Sequence, residues 1–282
     1  MRIFDPDVLL RDLSGLGFYD DELKLFNDWI TRPHGIILVT GPTGSGKTVT
    51  LYSALQSISS PEINITTIED PIEMVHEDFN QTSVNAKIGI SFGAALRTIL
   101  RQDPDVIMVG EIRDEETAQN AVQAALTGHL VFSTLHTNDS ATSVTRLIDL
   151  GIQPFLISST LIGAMAQRLV RKICDDCKRN RPLSLEEAAM LNLQAPAGKR
   201  IIVKEGAGCI RCRNTGYFGR TGIFEILQID NSIRDLIDRS EDFLKIKEMA
   251  MKRGMRSLRQ SALRKLAEGT TSFEEVVRVT GI

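Results

Sequence analysis

"GIILVTGPTGSGKT", residues 35–48, decides how the rest of the chain is read. Its first six residues are apolar or β-branched and stop at a glycine, as a buried strand does on reaching a sheet edge. The next eight match G-x-x-x-x-G-K-[ST], and a helix-compatible run follows to about Ile58. Strand, glycine-rich turn and helix is the order that lets backbone N–H groups surround a phosphate chain. Gly41, Gly44 and Gly46 allow the close approach, with Pro42, Thr43 and Ser45 between them. The helix N-terminus adds partial positive charge. Lys47 would reach the β- and γ-phosphates of a bound nucleotide, and Thr48 would ligate Mg²⁺. The bland alternative, a surface turn, does not require both flanking elements.

Outward from this loop the chain alternates. Strand-like runs occur at 63–70, 105–110 and 129–135. Helical patterns occur at about 91–102, from Asp114 as N-cap to Leu126, at 139–150 and at 154–170. Such alternation predicts a mostly parallel sheet with crossover helices. Upstream, 20–31 reads as an amphipathic helix with Leu23, Leu25, Phe26, Trp29 and Ile30 inward, and "LSGLGF" (13–18) as a linker. After Arg171 the chain becomes polar and loop-like through 220. One short helix, opened by a Ser184/Glu187 capping box, interrupts it. From about Ser232 the chain reads as helical, with a second box at Ser272/Glu275. The expected divisions are therefore 1–34, 35–170 and 171–282, the last split into a cysteine-bearing segment (172–220) and a helical one (221–282).

Ligands of open α/β sheets bind at strand ends. "IEDPIE" ends one strand with Glu69, Asp70 and Glu73. "DPDVIMVGEIRD" (103–114) ends the next with Gly110 where an Asp usually helps hold Mg²⁺, so its first carboxylate is Glu111. "TGHLVFSTLHTN" brings His129 and His136 to the two ends of a third. Solvated edge residues are the plain alternative, but their joint occurrence beside a phosphate loop favours a site.

The cysteines form Cys174-x-x-Cys177 and Cys209-x-x-Cys212. Two such pairs suit one tetrahedral ion with no open position, hence structural zinc; an iron–sulfur cluster is the alternative. Composition is that of an ordinary globular chain: 282 residues, 42% hydrophobic, 24% charged, net charge −3. That charge gives no global field toward nucleic acid, and no apolar run is long enough to span a bilayer.

Taken together, "GPTGSGKT", "TIEDPIE", "DVIMVGEIRD", "TGHLVFSTLHTN", "LRTILRQDPD" and "CRNTGYFGRTGIFEIL" resemble the secretion ATPase family of type II secretion and type IV pilus assembly. In that family a Gly-Glu pair is normal where Gly110 and Glu111 stand. The resemblance implies a RecA-like ATPase domain, a small C-terminal domain with a zinc knuckle, and assembly as a hexamer. Residues 1–34 then correspond to a remnant of a preceding domain and linker, with Arg2 the last of that domain's arginines. Arg97 and Arg101, four apart on one expected helix, Arg113 and Arg220 become candidates for phosphate or intersubunit contact. The implied role is a cytoplasmic motor, peripheral to the inner membrane, acting on a platform protein and other assembly proteins. Its implied chemistry is attack of water on the γ-phosphate, with Glu111 or Glu69 as base and His136 as γ-phosphate sensor. Retraction motors of the family generally lack the cysteine pairs. Two other readings compete: a nucleic-acid translocase, and a non-hydrolysing docking module regulated by nucleotide.

Overall fold

The computed structural model describes residues 12–194 and 200–281, and Arg2 lies outside them. The chain packs into two compact units. One holds the residues up to Gln167 together with Glu225–Met255, the other Arg168–Phe224 and the chain from Arg256 on. The first crossing falls between Gln167 and Arg168. The return of Glu225–Met255 to the first unit has no counterpart in the sequence reading.

A seven-stranded sheet, whose last two strands extend beyond the first unit, runs in the order β3 (Asn80–Ser83), β2 (Ile65–Glu69), β4 (Val106–Val109), β5 (Leu130–Leu135), β1 (Gly35–Thr40), β6 (Leu161–Ile173), then the strand Tyr217–Gln228. The pairings from β3 through β6 are parallel. Every residue of β1, β2, β4 and β5 is buried, which explains their unbroken apolar runs: a parallel sheet is covered on both faces. Edge strand β3, "NQTS", is polar and gave no sequence signal. Its helices are α1 (Asp20–Ile30), α2 (Lys47–Ile58), α3 (Phe92–Ile99), α4 (Glu115–Leu126), α5 (Thr142–Asp149) and α6 (Pro154–Thr160). Ser91 Oγ accepts from Ala94 N–H at 3.1 Å and Asp114 Oδ1 from Thr117 N–H at 2.8 Å, which fixes where α3 and α4 begin.

Three expectations need correction here. The helix expected over 154–170 ends at Thr160, and β6 follows. "LIGAMAQ" is buried on both faces, so it shows neither a period of two nor one of 3.6. "LSGLGF" is no linker: Leu13–Leu16 is one 3₁₀ turn capped by Asp12, and Leu13, Leu16 and Phe18 are buried. On α1, Phe26, Trp29 and Ile30 are buried as expected, but Leu23 and Leu25 are only half-buried. A Cβ on Gly163 would lie only 2.3 Å from carbons of the Trp29 ring. Gly163→Val is therefore expected to destabilise the fold by about 1–3 kcal/mol through overpacking. Urea denaturation of the variant should show an earlier midpoint.

In the second unit, β7 (Lys178–Pro182) and β8 (Ile202–Gly206) form an antiparallel pair around α7 (Leu185–Met190), whose Ser184/Glu187 capping box is complete. The segment expected to be loop thus carries two strands, and the segment expected to be helical from 221 begins inside β9 (Tyr217–Gln228). Helices α8 (Asn231–Asp238) and α9 (Phe243–Lys252) belong to the first unit; α10 (Leu258–Ala267) and α11 (Phe273–Thr280) complete the second.

The second box is only half formed. Ser272 Oγ accepts from Glu275 N–H, but the fully buried Glu275 carboxylate takes charged hydrogen bonds from Arg171 and Arg278 at 2.7–2.9 Å. Burial alone would push this carboxyl up; the bonds from Arg278 and Arg171 outweigh it and hold it below the usual range. Glu275→Gln is expected to cost about 3 kcal/mol at neutral pH. Since the folded value is the lower one, the difference from wild type should be constant above about pH 5. It should shrink as pH falls through the folded value, as denaturation at stepped pH would show. Among the described residues, no helix is long and apolar enough to cross a membrane.

Candidate nucleotide site and cysteine cluster

The Gly41–Thr48 loop joins the C-terminal end of β1 to the start of α2. Gly41 has φ +144°, and a Cβ there would also meet the Gln167 carbonyl at 2.5 Å, so only glycine fits; Gly46, at φ +91°, is the residue before the helix. Lys47 Nζ donates to the Gly41 and Pro42 carbonyls at 2.8 and 3.2 Å. Ser45 Oγ is buried in the loop with no hydrogen-bond partner. Thr48, one residue into α2, is half-buried.

The strand register places β1, β2, β4 and β5 side by side and parallel, so their C-terminal ends form one edge. Glu69, Glu111 and His136 all stand on that edge with the loop. The two glutamates differ sharply. Glu69 is buried, and its oxygens accept from Tyr52 Oη at 2.7 and 2.8 Å, Thr67 Oγ1 at 2.7 Å and Gln81 Nε2 at 3.2 Å. The Met74 carbonyl lies 3.0 Å from the same Tyr52 oxygen. Burial first, and then Glu69, drive the Tyr52 hydroxyl far above its ordinary value, so it stays protonated and donating. Glu73 is close enough to add to that push. Glu111 is buried too, but its Oε1 pairs with the exposed Arg113 guanidinium and its Oε2 has no hydrogen bond. His136 Nε2, half-exposed, lies 3.3 Å from that Oε2.

Gly110 has a local cause. Its N–H bonds the Ile68 carbonyl at 2.8 Å, and a Cβ there would sit 3.1 Å from that same oxygen. A side chain at 110 would press on that carbonyl, which would have to yield just where Glu69 and Glu111 leave the sheet. Thr134 Oγ1 further pins the strand end by donating to the Gly110 carbonyl at 2.7 Å.

The four cysteine sulfurs lie within 4.8 Å of one another, in the second unit. Neighbouring Sγ atoms are 3.6, 3.8 and 3.9 Å apart. An ion with metal–sulfur bonds of about 2.3 Å in a tetrahedron requires sulfurs about 3.8 Å apart. Burial disfavours charge on Cys212, yet N–H groups of Cys209 and Gly216 aimed at its sulfur bring the thiol down to about 6. Burial pushes Cys177 up to about 11. A cluster this tight ionises fully only around a cation, and it could hold one metal ion.

A family model described as "Type II/IV secretion system protein" matches residues 1–278. The chain belongs to this family. It is 50% identical over 279 residues, 99% of its length, to the type IV pilus assembly ATPase TfpB of Acinetobacter baylyi. It is 50% identical over 284 residues to the type II secretion system ATPase E of Vibrio cholerae. These alignments cover 48% and 55% of the relatives, so the chain spans about half their length. Among solved structures, the pilus retraction motor PilT with bound ADP matches with a TM-score of 0.67 at 31% identity, covering 96% of this chain and 67% of that one. The ATPase DotB of Legionella pneumophila shares the fold, with a TM-score of 0.69 and 24% identity.

Not every residue suggested by the secretion-family resemblance joins the site. His129 precedes β5, at the opposite sheet edge from His136, where its Nδ1 lies 2.8 Å from the Ala124 carbonyl and 3.1 Å from Thr127 Oγ1. It finishes α4 rather than facing the loop. Arg97 pairs with Glu116 on the surface, and Arg101 lies in the turn after α3, so the two do not share one helix. Arg220 is exposed on β9, in the second unit. Sequence reasoning missed Tyr52, Thr67 and Gln81. Tyr52 could have been found, since it falls four residues after Thr48 on the same face of α2.

Proposed function

We propose that the chain is the catalytic portion of an ATP-hydrolysing motor for type II secretion or type IV pilus assembly. What carries the reading is the pairing of the Gly41–Thr48 loop with Glu111, whose buried Oε2 is free of hydrogen bonds. The loop amides and Lys47 would bind the phosphates, Lys47 exchanging its two carbonyl partners for phosphate oxygens. Pro42, Thr43, Gly44 and Ser45 complete the cradle. The residue types suit Mg²⁺ held through Thr48, which would neutralise phosphate charge. Glu111 would take the proton of the attacking water, having an oxygen to receive it. Glu69, with both oxygens already engaged, would be a fixed negative wall rather than a base, with Glu73 beside it. His136 would read the γ-phosphate next to Glu111, and Arg113 would be released from Glu111 or turned to a neighbouring subunit. Arg97 and Arg101 remain candidates for contacts between subunits.

Zinc would occupy the four-cysteine cluster as a structural ion. The resemblance supports a homo-hexamer on the cytoplasmic side, peripheral to the inner membrane through a platform protein and its assembly partners. The relatives are named for type IV pilus assembly and type II secretion; insertion of pilin-like subunits is the output that the family resemblance implies.

The test is phosphate release from Mg²⁺-ATP by the assembled protein. Lys47→Ala is expected to slow it by about a hundredfold or more. Turnover unaffected by that change would remove the loop from the chemistry.

A further inference from the structure

The motif "GIFEIL" contains a carboxylate that the hydrolysis scheme does not use. Glu225, on β9, is 1% exposed. Its Oε1 accepts from both the backbone N–H and the hydroxyl of Ser140, at 2.9 and 2.8 Å. Its Oε2 is 3.7 Å from Lys247 Nζ on α9, and Lys247 also pairs with Asp139 Oδ2 at 3.1 Å. Asp139 in turn accepts from the N–H and hydroxyl of Thr142, at 2.8 and 2.6 Å. Thr137 Oγ1 donates to the Asp139 carbonyl at 3.0 Å and lies 3.1 Å from Ser143 Oγ. All of these residues belong to the first unit.

The short connection between β5 and α5 begins with His136. It is therefore fixed from Thr137 through Ser140, and its deepest anchor is a buried carboxylate supplied from the return segment. His136 itself is left half-exposed, facing Glu111.

We infer that Glu225, with Lys247, is a positioning residue for His136: it fixes the loop that holds the imidazole against Glu111. A carboxylate suits this task because one oxygen takes two donors from a single residue while the other faces a cation, so the anchor is directional as well as strong. Lys247 keeps two neighbouring carboxylates from repelling each other across the loop. Because the return segment is joined at both ends to the second unit's chain, its displacement would reach His136 through this anchor. The inference rests on ATP hydrolysis at the Gly41–Thr48 loop.

The test compares Glu225→Ala, Glu225→Gln and Ser140→Ala in the assembled protein, reading kcat, the ATP dissociation constant and the imidazole proton resonances of His136 by NMR. Glu225→Ala is expected to lower kcat about tenfold or more with ATP affinity within twofold, and to shift or broaden the His136 resonances. Glu225→Gln, which keeps an oxygen for Ser140, should regain most of kcat. Ser140→Ala, a smaller change that tests the same anchor if Glu225→Ala folds poorly, should fall between them. A folded Glu225→Ala or Ser140→Ala with wild-type kcat and unmoved His136 resonances would overturn the inference. So would a Gln variant no better than the Ala variant. Absence of hydrolysis by the wild type would instead defeat the parent reading, while the His136 resonances would still report on the anchor.

Discussion

Glu111→Gln is expected to lower ATP turnover by two to three orders of magnitude, the cost typical of losing a well-placed general base. ATP affinity should change little. Two buried carboxylates stand on one sheet edge and differ in what they accept. Glu69 receives hydrogen bonds from Tyr52, Thr67 and Gln81, so it has little capacity left for a proton from water. Glu111 offers Oε2, buried and without a hydrogen bond. A glutamine at 111 keeps shape and one oxygen but removes the basicity. Steady-state phosphate release and equilibrium nucleotide binding check the two halves of the prediction separately. A turnover loss accompanied by an equal loss of affinity would make Glu111 a binding group.

The second large effect concerns the cysteines. Removing the metal, or replacing Cys209 by Ser, is expected to unfold the segment around the knuckles. Structural zinc contributes several kcal/mol or more to small domains. Here β7, β8 and the turns at Cys174 and Cys209 contain much polar and exposed surface. Gly206 and Gly216 pass so closely that a Cβ on Gly206 would overlap the Gly216 carbonyl. Those turns have few apolar contacts to hold them once the sulfurs are released. Elemental analysis should give about one zinc per four thiols, and chelation should expose all four to a thiol reagent. Thiols equally reactive with and without chelator would argue against a bound ion.

How much of this was legible depended on distance along the chain. The loop at 41–48 declared itself because strand, turn and helix are contiguous. Asp114 and Ser184 were readable as caps because their partners lie three residues away. β6 was not, because burial on both faces erases periodicity. The half-formed box at Ser272 was misread since Glu275 is claimed by Arg171, far away in sequence. His129 and His136 were readable as the two ends of one strand; that only the His136 end lies beside the Gly41–Thr48 loop follows from the parallel register with β1. Gly110 could be recognised as a family trait, but its reason, the Ile68 carbonyl, belongs to another strand. The Tyr52–Glu69 bonds span seventeen residues and the Ser140–Glu225 bonds eighty-five, beyond the reach of spacing rules.

The most direct test of the central claim is a single turnover with limiting radiolabelled ATP on the assembled wild type, Glu111→Gln and Glu69→Gln. Glu111→Gln is expected to hold ATP uncleaved, while Glu69→Gln cleaves it within about tenfold of the wild-type rate. Cleavage at the wild-type rate by Glu111→Gln, with cleavage abolished in Glu69→Gln, would contradict it.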